Sequence, residues 1–329
     1  MSRTRPVLLA VGLSCLDLVW HVATFPPEGS RTDAAAHHRH GGGPAATAAV
    51  AAVRYGVEAR LWAIHGDDDA GRSLLRELTD EGVDVSRVRV PAGSRSFVSA
   101  VLVGSDGERW IFPYRGEGLD DDPDAWPIEQ VASVDAVLTD LRHPRLARAV
   151  LRAAREANVP SVVDLGNLRD LDATEDATVV IAAREAAEEL LVRSGAAVGG
   201  AGGTAGGDVA DASEMAEAAL AALRWRDDQT VAVTLGDEGV VYDAGDGLRH
   251  LPALPVEVRD TTGAGDVFHG VWAAALASGA DADTCARHAS VAAALSCGAP
   301  GRGAIPSGDE VARLLERRTA REMNELRWS

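Results

Sequence analysis

The chain reads as an α/β protein with a mostly parallel central sheet, helices on both of its faces and a separate β-hairpin. Three observations predict this: strand-like apolar runs alternate with helix-like runs, 46% of the 329 residues are hydrophobic, and a hairpin pattern breaks the alternation once. Alternation of this kind lays parallel strands side by side under crossover helices, with the ligand site beyond the strand C-termini. The length suits a large core within one domain spanning residues 1–329, and with only 4% aromatics the packing falls to Ala, Val and Leu.

In chain order, residues 7–12 form a buried strand and Asp17 follows it. Residues 32–40 are extended and polar. Their His37-His38-Arg39-His40 cluster reads as a strand edge or loop, because no carboxylate or cysteine recurs at metal-ligand spacing. Gly41-Gly42-Gly43-Pro44 opens a helix: the glycines allow close backbone approach and Pro44 suits the first helical turn. Residues 59–64 are a strand, and the acidic Gly66-to-Gly71 stretch starts a helix carrying Leu74, Leu75 and Leu78. Residues 96–103 and 108–114 flank Gly104-Ser105-Asp106-Gly107 as a hairpin. Strands at 134–139, 159–165 and 179–182 alternate with helices at 145–157 and through Leu191. The glycine-rich insert at 195–207 buries little and reads as a mobile loop. The strand at 230–235 resumes the same sheet.

Charge excludes several partners. A net charge of −18 without a basic stripe argues against nucleic acid and anionic membrane. No apolar run reaches the ~18 residues needed to span a bilayer, and residues 1–6 lead into a strand rather than a signal peptide, so a cytoplasmic protein is expected. Cys15, Cys285 and Cys297 are scattered and read as reduced, buried thiols.

The chemistry concentrates in Asp260-Thr261-Thr262-Gly263-Ala264-Gly265-Asp266-Val267-Phe268-His269-Gly270, a glycine turn leading into an Ala-rich helix that breaks at Ser278-Gly279. Free amides of Gly263, Ala264 and Gly265 at a helix N-terminus favour an anion such as a phosphoryl group. Asp266, in the first turn, is placed to take a proton from an attacking hydroxyl.

This run and the segment from Gly41 to Gly56 together resemble the two signatures of the ribokinase-like, or PfkB, carbohydrate kinases. The resemblance implies a three-layer sandwich with a β lid formed by about 14–40 and 95–116, often pairing between subunits as a homodimer. It implies Asp266 as catalytic base, the Gly263–Gly265 turn as anion hole, and Asp17, Gly42 and Gly43 at the sugar. It also implies Thr234, Gly236, Gly239 and Thr262 at the nucleotide, with ATP and Mg²⁺ as cosubstrate and metal. The family's Asn-x-x-Glu metal motif is matched only by Ala182-Ala183-Arg184-Glu185, leaving Glu185 as the candidate; Ala46 stands where an asparagine is common. K⁺, used by some relatives, would take carbonyls around Asp260, Thr262 and residues 297–303. In motif detail the chain looks closest to bacterial sulfofructose kinases, which phosphorylate 6-deoxy-6-sulfofructose at its 1-hydroxyl. Arg31 and Arg142 would then face an anionic sugar, although Pro113 replaces an asparagine. A non-catalytic binder on the same fold is the second reading, suggested by Ala46 and Ala182 and opposed by the intact Asp266. A Rossmann dehydrogenase is excluded, because no Gly-x-Gly-x-x-Gly follows the first strand.

Overall fold

A computed structural model describes residues 5–25, 29–105, 109–168, 170–194 and 209–325. The glycine-rich insert at 195–207 and the hairpin tip at 106–108 fall outside the described residues. The first strand, β1 (Val7–Val11), leads into a second sheet through β2 (Cys15–Val22) and β3 (Ala34–Gly42). The chain returns through α1 (Pro44–Tyr55), β4 (Glu58–Trp62) and α2 (Asp69–Asp80), and visits the second sheet again as β5 (Val98–Val103) and β6 (Arg109–Tyr114). Alternation then resumes with β7 (Ala136–Thr139), α3 (Pro144–Ala157), β8 (Ser161–Leu165), β9 (Val179–Ala183), α4 (Arg184–Ser194), α5 (Val209–Leu223) and β10 (Thr230–Thr234). A meander of β11 (Val240–Asp243) and β12 (Leu248–Leu251) precedes α6 (Ala264–Ala277), α7 (Ala282–Ser296) and α8 (Gly308–Glu325).

The main sheet has the order β12-β11-β10-β9-β8-β7-β1-β4. It is parallel from β10 to β4, with β11 and β12 antiparallel at one edge. Alternate side chains enter opposite layers, as the pleat requires. Leu8, Ala10, Val162 and Ile181 meet α1, α6 and α7 on one face, while Val163, Leu165, Val180 and Val231 meet the α4–α5 side on the other. Val7, Leu9 and Val11 pack with Leu146 and Val150 of α3. This is the α/β class expected from the alternation, in the three-layer arrangement that the resemblance implies.

Strand β1 lies between β4 and β7, so successive crossovers leave it in opposite directions and open a crevice at its C-terminal end. The second sheet, ordered β3-β2-β5-β6, stands over that crevice. The expected hairpin is present, with Val98 opposite Tyr114 and Val103 opposite Arg109. The histidine cluster lies on edge strand β3, which pairs antiparallel with β2 from Cys15–Gly42 onward. Among the described residues no group of three or more His, Cys, Asp or Glu is arranged to hold a metal. No described helix is long and apolar enough to cross a membrane.

Candidate active site

Helix α6 begins after Gly263, whose φ of 76° lies in the left-handed region that favours glycine. The Ala264 amide donates to the Thr261 carbonyl at 3.2 Å, and the Val267 amide closes the first turn onto the Gly263 carbonyl at 2.9 Å. The amides of Gly263, Gly265 and Asp266 have no acceptor among the described residues. Three amides are therefore left to meet an anion, and Ala264, also expected there, has its N–H spent in the turn.

The turn separates two cavities. The larger, about 570 Å³, is walled by Thr234 at the end of β10, by Gly236 and Gly239 after it, by residues 253–256, and by Ala293 and Ala294 of α7; Ala264 and Gly265 close its end. Its mainly apolar walls with few polar groups suit a flat aromatic base. The smaller, about 40 Å³, is lined by Asp17, His40, Gly42, Thr47, Asp266 and Arg302, with Gly43, Thr262 and Gly263 beside them. Asp17 comes from β2 of the upper sheet, and a methyl group on Gly42 would collide with its carboxylate. Glycine at 42 is what lets carboxylate and backbone share that wall.

Carboxylates dominate the local field. Burial, then Asp164 and Asp140, push the Asp266 carboxyl well above the usual range, with Arg302 opposing. Asp266 keeps part of its surface open to the small cavity. Asp17 is raised by burial, against the pull of His40. Asp164, on β8, is pushed up to about 7 by burial and by Asp140, opposed by Arg142. His269, one helical turn after Asp266, is pushed down to about 4 by burial, although its Nδ1 lies 3.4 Å from Asp164 Oδ2. A carboxyl raised by burial and a row of free amides thus stand between an apolar cleft and a polar cavity; phosphoryl transfer draws on groups of these two kinds.

The family model for pfkB family carbohydrate kinases matches residues 6–307. The chain belongs to the pfkB family. As a pfkB chain, it is 28% identical over 318 residues to an ATP-dependent ribose-1-phosphate kinase of Halopiger xanaduensis, covering 94% of this chain and 98% of the relative. It is 28% identical over 315 residues to the ribokinase of Bacillus subtilis, covering 94% and 99%. The solved structure of Arabidopsis thaliana ribokinase with ribose and ATP aligns with a TM-score of 0.76 at 23% identity, covering 95% of this chain and 99% of that one. This pfkB protein is a carbohydrate kinase.

The remaining expected residues of this pfkB kinase divide by position. Thr234, Gly236 and Gly239 line the larger cavity. Thr262 lines the smaller one, while its neighbour Thr261 lines the larger. Arg31, Arg142 and Glu185 are exposed and line neither cavity. In the 182–185 stretch it is Arg184 that braces the loop after β10, donating to the Leu235 carbonyl at 3.0 Å and pairing with Glu238. Glu185, in the first turn of α4, is exposed. Ala46 is fully buried in α1 and reaches no cavity.

Sequence reasoning passed over Arg302 and Asp140. Arg302 is 8% exposed; it pairs with Glu77 at 3.2 Å and donates to the Gly42 carbonyl and to Thr47. Glu77 in turn accepts from the Gly41 amide at 2.8 Å. Asp140 joins three segments, accepting from the amides of Leu13 at 2.8 Å, Ala45 at 3.1 Å and Arg142 at 2.9 Å. Neither residue stands in a motif, and their partners are distant in sequence, so no local spacing announces them.

Proposed function

We propose that this chain transfers the γ-phosphoryl group of ATP to a primary hydroxyl of a small sugar. Asp266 removes the hydroxyl proton while the amides of Gly263, Gly265 and Asp266 stabilise the transferring group. The carrying observation is the placement of Asp266 and those amides between the 570 Å³ and 40 Å³ cavities. Asp17 accepts hydrogen bonds from sugar hydroxyls in the smaller cavity, and the upper sheet acts as a lid that keeps water from the phosphoryl group.

Mg²⁺, when bound with the nucleotide, neutralises its phosphate charge. The donor set fits an ion held chiefly by phosphates and water. Asp164, whose buried carboxyl is raised by Asp140 and in turn raises Asp266, is the protein carboxylate we assign beside such an ion. For K⁺, activity compared in potassium and tetramethylammonium buffers reports whether the carbonyls around Asp260, Thr262 and 297–303 form a site.

An anionic ketose such as 6-deoxy-6-sulfofructose is the finer substrate reading. Arg302 and His40 line the small cavity, while Arg31 and Arg142 lie outside it, so a sugar's anionic end has the first pair nearest. A panel of neutral, phosphorylated, sulfonated and carboxylated sugars, assayed for ADP release, tests both levels. Release with at least one sugar is expected; silence across the panel removes the kinase reading for this chain's site. If Arg31→Ala and Arg142→Ala treat an anionic sugar as the parent does, those two arginines play no part in its selection. Homodimer formation through the lid is supported by the exposed Trp110, Ile111, Phe112 and Tyr114 on edge strand β6.

A further inference from the structure

Arg109 opens β6 on the upper sheet, yet its side chain crosses to the loop that enters α6. Its Nη2 donates to Asp260 Oδ1 at 3.1 Å and to Thr261 Oγ1 at 2.9 Å. Both charged side chains are largely covered, at 27% and 21% exposed, so the pair is less screened than a surface bridge.

Asp260 is the post around which the loop winds. Its Oδ1 also accepts from the Thr262 amide at 2.9 Å and the Thr262 hydroxyl at 2.6 Å, while Oδ2 accepts from the Gly301 amide at 3.3 Å. Its own amide donates to the Cys297 carbonyl at 3.2 Å. Burial pushes this carboxyl up, but Thr262, Arg109 and Gly301 together outweigh burial and hold it below the usual range. The carboxylate thus ties residues 260–262 to the 297–301 segment, and the next residue is Gly263. Of the donors to Asp260, Arg109 alone belongs to the upper sheet among the described residues. The bond therefore joins the upper sheet directly to the loop that enters α6.

We infer that Arg109 is a positioning residue for phosphoryl transfer: through Asp260 and Thr261 it sets the register of the loop carrying the free amides only while the upper sheet covers the small cavity. Enclosure of the sugar and readiness of the amides are then one event. A lifted sheet leaves the amides poorly aligned, which limits transfer to water before a sugar is enclosed.

The kinetic part of this inference rests on the kinase reading; the structural part does not. Arg109→Ala and Arg109→Lys in the full chain are compared with the parent by hydrogen exchange and by steady-state kinetics on whichever sugar the parent accepts. In Arg109→Ala, exchange at 260–265 and at 98–103 rises by about tenfold, the worth of one charge-assisted hydrogen bond, while strands β8 and β9 exchange as in the parent. The kcat falls by a similar factor with the KM for sugar changed less than about threefold, and Arg109→Lys recovers part of both losses. Parent-like exchange at 260–265 in Arg109→Ala overturns the inference. So does a rise spread evenly over the main sheet, or an unchanged kcat. A parent that phosphorylates no sugar sinks the kinase reading instead, and the exchange comparison still decides the role of Arg109.

Discussion

At the scale of single residues, four carboxylates and one buried guanidinium decide the behaviour of the site. Asp266 is the proposed base, so Asp266→Asn should lower kcat by roughly 10²–10⁴-fold with the fold and nucleotide affinity near those of the parent. Retention of most activity would refute the assignment. Because Asp266 is raised, kcat/KM should climb with pH through an apparent value above that of an ordinary carboxylate. Asp164 makes a stability statement as well. Its carboxyl is at about 7 in the folded chain against 3.8 for a free aspartate, so the folded chain binds more protons between those values. Its contribution is complete below pH 3.8 and is lost as pH rises through 7. His269, at about 4 against 6.5, runs the other way: its contribution is present above 6.5 and lost as pH falls through 4. Asp164→Asn should therefore raise the melting temperature at pH 8 and give little gain at pH 4. Equal melting temperatures at pH 8 would mean that the buried charge is already compensated.

At the scale of elements, the two glycine-led helices are held by close contact. A Cβ added at Gly270 of α6 would stand 2.5 Å from the Ala48 carbonyl of α1. The Ala-rich faces of both helices, including Ala45, Ala49, Ala52, Ala273 and Ala274, bury completely and permit that approach. The contact sets where both helix N-termini emerge beside the crevice, linking packing to the site. Gly270→Ala should cost about 1–3 kcal/mol through overpacking, read as a lower urea midpoint with an unchanged slope. An unchanged midpoint would show that the helices separate freely. These helices were legible in the sequence because Gly, Pro and Ala have strong local preferences at helix ends and interiors. Their mutual approach was not, since nothing local distinguishes a glycine packed against a carbonyl from one that merely weakens a helix.

At the scale of the whole molecule, the charge of −18 opposes an anionic nucleotide, and local devices must overcome it. The free amides of the α6 turn and Arg302 supply positive potential where the field matters. The upper sheet leaves Trp110, Ile111, Phe112 and Tyr114 between 45% and 58% exposed, and Phe25 stacks on Trp110 at 4.4 Å. If this edge pairs two copies, a charge placed there should separate them: Ile111→Glu is expected to sediment as a monomer where the parent sediments as a dimer. A parent that is monomeric at assay concentration removes that proposal.

The sequence by itself determined the α/β class, the hairpin, the start of α6 and the family, because those depend on alternation, turn chemistry and contiguous motifs that neighbouring residues carry. It also placed Asp17, Gly42 and Asp266 together only by resemblance, since 249 positions separate the first from the last and spacing says nothing of their approach. Tertiary structure decided that Glu185, Arg31 and Arg142 stand apart from both cavities and that Arg302, Asp140 and Arg109 reach inward. The physical reason is that a charged side chain's role follows from what surrounds it, and burial, partner and field exist only once distant segments have packed.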